Sequence, residues 1–377
     1  MKLKCIAAAV AAWVLEPVRR VIERHMSRSG MVLHATTDYM SGADLSAVAK
    51  GGVINESLMA KIWDISKIPL DFTDMIGSSS HDNALCSWVQ DSLASVNLSN
   101  AAVDGADVGS FNHAPPSPRV GNQSQISTKA IAVSQRAQNS NTVGGNALAY
   151  QLMMRQQELH RDVEAIALAN QASVADDGAT TAGKSGGLGS WLVTNTSIGA
   201  TGTAGGYSTS TGLTVATGVG TKRAGSEATL RTLLSSVWQN GGNPTSVMSV
   251  PAVIKGLSEY MFTSTARIAT LMSDAGQAKS AMVAKGSVNV LVSDFGVTVN
   301  LVANRLQGVE SAGQATLYIL DPALIELSYL QGYKVLEIAK AGLADKRQMS
   351  VDWTLKVLQE KGLGGYFAID TALAWVA

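Results

Sequence analysis

Charge is scarce in this chain of 377 residues. Asp, Glu, Lys and Arg make up 15% of it, against about 25% in an ordinary soluble domain. The charges also cancel, with 29 basic and 29 acidic residues. A dedicated nucleic-acid binder is therefore a poor fit, because its affinity comes from basic side chains neutralising phosphates. Cysteine is nearly absent. Cys5 and Cys86 make neither a disulfide framework nor a paired-thiol metal knuckle, and read as small buried side chains in a reduced compartment. The apolar run Cys5–Leu15 is too short to cross a bilayer. After Met1-Lys2-Leu3-Lys4 it has the outline of a secretion signal, but Glu16-Pro17 follows where a small-x-small cleavage site belongs. An ordered N-terminal extension, helical before Pro17 and again to His25, is expected instead.

What remains is rich in small and apolar side chains. A hydrophobic content of 46% excludes a wholly disordered chain, and the length suits one large domain or two to three smaller ones. A free monomer keeps roughly a quarter to a third of its surface charged. A chain this neutral either covers much of its exterior with partner subunits, whose interface cores are poor in charge, or is an ordinary Ala-rich domain.

The pattern along the chain is α+β rather than an alternating βαβ series. Thr36–Ser66 reads as an irregular arm with a helical piece near Leu58–Ile65. Phe72–Ile76, Ala84–Val89 and Thr128–Val133 read as short strands around a polar stretch, Ser95–Ser124, whose Pro115-Pro116 and Pro118 exclude helix. A connection of about thirty residues needs an anchor, and a neighbouring subunit is the natural one. Helical spacing runs from Gly145 to about Ala175, a rod of roughly 45 Å. Asp176–Gly225 reads as an exposed, inserted Gly/Ser/Thr-rich loop with an apolar island around Trp191 and some strand near Leu213–Val219. Ser226 is placed to cap a helix that Gly241-Gly242-Asn243-Pro244 stops near Gln239. Beyond it come strands at Ser246–Val250, Val288–Val292, Val297–Val302 and Ala315–Leu320 and a helix from Pro251 to about Tyr260. Further apolar pieces follow at Ile325–Leu330, Val335–Ala339 and Gln348–Leu358.

Three motifs hint at chemistry. Gly178-Ala179-Thr180-Thr181-Ala182-Gly183-Lys184-Ser185 matches the phosphate-loop pattern of NTPases, in which backbone N–H groups wrap phosphates and Lys reaches the outer oxygens. Its surroundings argue for a plain flexible loop: two carboxylates precede it, and Gly186-Gly187 follows where a helix should start. Asp294-Phe295-Gly296 resembles a kinase metal triplet but lacks its companion motifs, and reads better as a two-residue hairpin turn. His160 and Glu164, four apart, could share a metal, but no second His or Cys pair completes a shell, so a solvated or ion-pairing helix face is expected. No nucleophile and base stand out, no cofactor is implied, and an enzyme is not expected.

Several segments in order carry a resemblance: Phe72 with Met75-Ile76-Gly77; Trp88-Val89-Gln90-Asp91-Ser92-Leu93; Arg119, Asn122 and Gln125-Ile126; Glu158 through Glu164; Asn170-Gln171; Trp238 with Gly241-Gly242-Asn243-Pro244; Val292 through Gly296; Asn304-Arg305; Leu320-Asp321-Pro322; and Asp345-Lys346-Arg347-Gln348. Over roughly Thr36–Leu358 the chain resembles the SU10-like major capsid proteins of tailed phages, which have the Hong Kong 97 fold. The resemblance implies an extension and N-terminal arm (1–67), an extended E-loop hairpin with its base strands (68–140), a spine helix in a peripheral domain (141–175), the inserted loop (176–225), an axial domain (226–314) and a return to the peripheral domain (315–377).

It further implies pentamers and hexamers closing into an icosahedral phage head around double-stranded DNA held without sequence specificity. Portal and possibly scaffolding or decoration proteins would be partners, with no membrane, assembly in the host cytoplasm and residence in the virion. The alternatives are an encapsulin-like shell around cargo protein and, behind it, a phosphate-loop NTPase. Expected subunit-contact residues are Trp88, as an apolar anchor near the hairpin base, and the ion-pair candidates Arg119, Arg161, Asp162, Glu164, Arg305, Lys346 and Arg347. Some relatives of this fold join subunits by a Lys–Asn isopeptide bond. No lysine lies between Lys67 and Lys129, so the hairpin cannot supply that nucleophile and the shell is expected to be non-covalent.

Overall fold

Alternation of apolar residues near the C-terminus builds the first sheet. The computed structural model describes residues 69–91, 93, 96–105, 107, 117–140, 147–263, 290–293, 295–308, 313–340 and 342–376. In it Met349, Val351, Trp353, Leu355 and Val357 of β13 (Ala344–Val357) are all buried, as expected for side chains that share one face of a strand. β13 pairs antiparallel with β12 (Ile325–Ile338) on one side and β4 (Gln125–Ser134) on the other. β1 (Gly77–Ser80) runs parallel to the first part of β12 and completes the order β1-β12-β13-β4. The buried face shares one core with Leu159 and Val163 of the long helix α2 (Ala147–Leu168). Between β4 and α2 lies the short α1 (Gln135–Asn139), capped by Ser134.

The second sheet is mixed. Its order is β5 (Thr196–Ser197), β14 (Gly364–Asp370), β11 (Gln314–Leu320), β8 (Ser246–Ser249), β10 (Thr298–Ala303) and β9 (Val290–Val292). β8, β11 and β14 are buried at every residue, which requires cover on both faces. Along β11, Ala315, Leu317 and Ile319 enter one core while Tyr318 and Leu320 enter the other, so this strand is the wall between them. The second core is closed by α4 (Glu227–Gln239) and α5 (Pro251–Thr263). α4 starts as expected: the Ser226 hydroxyl accepts from Thr229 N, Glu227 pairs with Arg231 one turn on at 2.7 Å, and Leu230, Leu233, Leu234 and Val237 form its buried stripe. It ends at Asn240, beyond which Gly241 takes φ +90°, a left-handed conformation suited to glycine.

Several expectations are corrected. Phe72–Ile76 is turn, not strand; Ile76 N–H donates to Phe72 O, and Phe72 is fully buried. α2 stops at Leu168, giving about 33 Å rather than 45 Å, because the Asn170 side chain binds both Thr217 N and Thr217 O and draws the chain away. The 176–225 segment is not exposed throughout. Its apolar island forms α3 (Leu188–Trp191), buried at every residue, followed by β6 (Gly206–Ser208) and β7 (Leu213–Val215), which pair antiparallel. Ile325–Leu330 and Val335–Ala339 belong to one strand, β12, interrupted by register shifts around Gln331. The N-terminal extension, the arm and Pro115-Pro116 lie outside the described residues.

Candidate subunit-contact surfaces

The polar excursion leaves the body as a ribbon. β2 (Leu85–Val89) and β3 (Arg119–Gln123) pair antiparallel from Leu85↔Gln123 to Val89↔Arg119, and Gln90 N–H donates to Pro118 O beyond them. The ribbon's root is tied down by polar groups. Asn122, fully buried, donates through Nδ2 to Ser185 Oγ, Gly186 O and Leu355 O, and its Oδ1 accepts from Gly186 N–H at 2.8 Å. His81 bridges Ser328 Oγ at 2.9 Å and Ser124 Oγ at 2.6 Å. Burial pushes its imidazole below the ordinary 6.5 despite Asp352 and Asp82. Trp88 is half-buried against Trp191, with ring centroids 5.4 Å apart, and Trp191 stacks on Tyr207 at 5.7 Å.

The expected contact residues do not form one site. Arg119 is exposed and donates to Ser87 Oγ at 2.7 Å across the ribbon. Asp162 pairs with Lys129 of β4 at 2.7 Å, which ties α2 to the first sheet. Arg161 lies next to it, its Nε buried and without a hydrogen-bond partner among the described residues. Arg305 is exposed beyond β10 and draws down Asp71, whose carboxyl is raised on balance by burial and by Asp74. Lys346 stands on β13 between Ile338 and Ala132, and Arg347 lies 3.6 Å from Glu337.

Glu164 breaks the expectation of a solvated, ion-pairing face. It is 0% exposed, and its carboxylate accepts from Phe72 N–H, Thr73 N–H and Asn304 Nδ2, the last at 2.7 Å. His160 instead lies against Tyr333, ring centroids 4.0 Å apart. A sequence signal for Glu164 existed, since it falls within the stripe Leu159, Val163, Ala167 and Leu168 that the helix buries. Nothing in the sequence marked Asn122 as a buried tie.

The phosphate-loop letters do not make a phosphate cradle. The N–H groups of Ala179, Thr180 and Thr181 all donate to Asp177 Oδ1 at 2.8 Å, which holds that carboxyl well below its usual range. The chain's own anion thus occupies the nest. Lys184 pairs its backbone with Val174, and the Ser185 hydroxyl accepts from Leu355 N–H and Asn122 Nδ2. In the other motif, Ser293 and Val297 close the β9–β10 hairpin around three residues rather than the expected two, and Gly296 takes φ +85°; Asp294 lies outside the described residues. Among the described residues no group of three His, Cys, Asp or Glu could hold a metal ion, and no helix is long and apolar enough to cross a membrane.

A family model described as SU10 major capsid protein matches residues 35–370. The major capsid protein of Escherichia phage Phieco32 is 38% identical over 104 residues, an aligned stretch that spans 27% of this chain and 29% of that relative. Among solved structures, the capsid of a native GTA particle superposes with a TM-score of 0.54 at 13% identity, covering 85% of this chain and 98% of that one. A structure from Microbacterium phage Oxtober96 gives 0.52 at 12% identity, covering 86% and 99%. At such identities the likeness is one of fold, a mixed helix-and-strand fold common to capsid chains.

Proposed function

The chain belongs to the SU10 major capsid protein family, and from that premise we propose that copies of it close, as pentamers and hexamers, into the icosahedral head of a tailed phage. The observation that carries the reading is the family match over residues 35–370. Double-stranded DNA fills the head without sequence-specific contacts, which suits a chain with equal numbers of acidic and basic residues. A portal, and scaffolding or decoration proteins, complete the particle in the host cytoplasm.

Within the Hong Kong 97 layout, residues 1–67 are the arm, the β2–β3 ribbon is the root of the E-loop, α2 is the spine and 226–314 is the axial domain. The ribbon reaches a neighbouring subunit. Arg119, Arg161, Asp162, Arg305, Lys346 and Arg347 stay candidates for contacts between copies, with Trp88 holding the ribbon to its own body. Glu164 leaves that set, because its carboxylate is satisfied within the chain. Each contact can be weak, since a closed shell multiplies it.

Sedimentation and negative-stain microscopy of the purified protein test this: closed icosahedral particles are expected, and a protein that stays as single subunits sinks the reading. Nuclease-resistant DNA inside particles from infected cells is expected as well. Enclosed cargo protein in its place would favour the encapsulin-like alternative.

A further inference from the structure

His81 sits in the turn between β1 and β2, where the ribbon joins the body, and it touches both sides of that join. Its backbone N–H donates to Tyr329 O of β12, and Nδ1 lies 2.9 Å from the Ser328 hydroxyl of the same strand. Nε2 lies 2.6 Å from the hydroxyl of Ser124, the residue at which β3 gives way to β4. One imidazole therefore ties the strand leaving the ribbon to the first sheet. A neutral imidazole has one donor and one acceptor nitrogen, so in either tautomer one serine hydroxyl donates to the ring and the other accepts from it. The imidazolium can only donate, which leaves one of the two O–H groups facing an N–H. A carboxylate is at hand to take that proton's charge. Asp352 of β13 favours the protonated ring more than Asp82 does, and its Oδ1 is buried without a hydrogen-bond partner among the described residues. The other titratable groups around the ring cannot stand in for it. Burial keeps the Tyr329 phenol and the Cys86 thiol neutral, and Glu326 and Lys356, which lie toward Cys86, neutralise each other at 3.3 Å.

We propose that His81 is a proton-operated latch at the root of the ribbon: on protonation the ring leaves the Ser124 hydroxyl for the Asp352 carboxylate, and the strand leaving the ribbon is released from β12. The pivot stays in place. Asn122 holds β3 to Ser185, Gly186 and Leu355 through groups that do not titrate, and the Ser124 backbone N–H keeps its bond to Ala84 O. The ribbon therefore swings about Asn122 and does not detach. The sign follows from linkage. Burial disfavours the charged ring in the latched state, so the proton binds the released state better and acid populates that state. The latch is closed at neutral pH and opens as the pH falls below the ordinary 6.5 of the imidazole. This device belongs to the single chain and stands apart from the reading that copies of it build a shell.

Hydrogen exchange read by mass spectrometry tests the latch on the full-length protein at pH 7 and pH 5, corrected for the chemical exchange rate at each pH. Protection of β2 and β3 is expected to fall about tenfold or more at pH 5, since one unit of pKa difference between two states is a factor of ten in their ratio. α4 and β11 should lose less. Equal protection of the ribbon root at both pH values, or a fall matched in α4 and β11, overturns the proposal. His81→Asn keeps a donor and an acceptor but takes up no proton, so its ribbon root should be equally protected at both pH values. A fall as large as in wild type also overturns the proposal. Nuclear magnetic resonance titration of protein labelled with 13C-histidine gives a reading that does not need that variant to fold. The His81 midpoint is expected below 6.5, and lower still in Asp352→Asn, where the carboxylate is gone. A midpoint that Asp352→Asn leaves unchanged removes the counter-ion from the latch and overturns it.

Discussion

The Glu164 carboxylate faces two backbone donors and the Asn304 amide, and these donors come from segments flanking α2 on both sides in sequence. Removing it takes the carboxylate acceptor from two buried N–H donors, Phe72 N and Asn304 Nδ2, and from the part-buried Thr73 N–H, and a hydrogen bond to a charged group is worth about 1.5–3 kcal/mol. Glu164→Ala is therefore expected to destabilise the unassembled subunit by about 3 kcal/mol or more, read as a lower urea midpoint. Glu164→Gln should lose less, since the amide keeps one accepting oxygen, and a midpoint equal to wild type for both variants contradicts the arrangement. His81 gives a pH dependence of defined sign. Its folded-state affinity for protons is reduced by burial, so below its ordinary 6.5 the unfolded chain takes up the proton first and folding weakens as pH falls. Urea midpoints at pH 7 and pH 5 should drop less for His81→Asn than for wild type. An equal or larger drop in the variant counts against this account.

At the level of elements, α3 marks the difference between composition and packing. The stretch from Asp176 to Gly225 has the Gly, Ser and Thr content of a loop, yet Leu188–Trp191 lies wholly inside, with Trp191 between Trp88 and Tyr207. Trp191→Ala should cost about 3–5 kcal/mol, measured by thermal or urea unfolding, whereas an inserted surface loop would lose almost nothing. α4 was legible because its cap, stripe and glycine stop are all local signals, and β11, β13 and the β9–β10 hairpin because their apolar patterns are. β1 was not legible, since Gly77-Ser78-Ser79-Ser80 has no apolar residue and becomes a strand only by pairing with β12. β14 was missed for a related reason: it begins with Gly364-Gly365 and is a strand because β11 and β5 flank it. The bend in β12 around Gln331 divided one strand into two apparent ones.

For the whole molecule, the lysine-free interval between Lys67 and Lys129 removes the amine that an isopeptide bond from the ribbon would need. Particles boiled in denaturant should therefore run as a single band near the 39.2 kDa of one chain, and a ladder of multiples contradicts that expectation. The family, the α+β character, most helices and strands and this missing amine could all be read from the order of residues, because periodicity, caps and missing side chains are properties of the chain itself. Which charged side chain is interior and which phosphate-loop letters are already satisfied were decided only by tertiary structure. The physical reason is distance along the chain: Glu164 meets donors 91, 92 and 140 residues away, and no local pattern carries the cost or the reward of such a meeting.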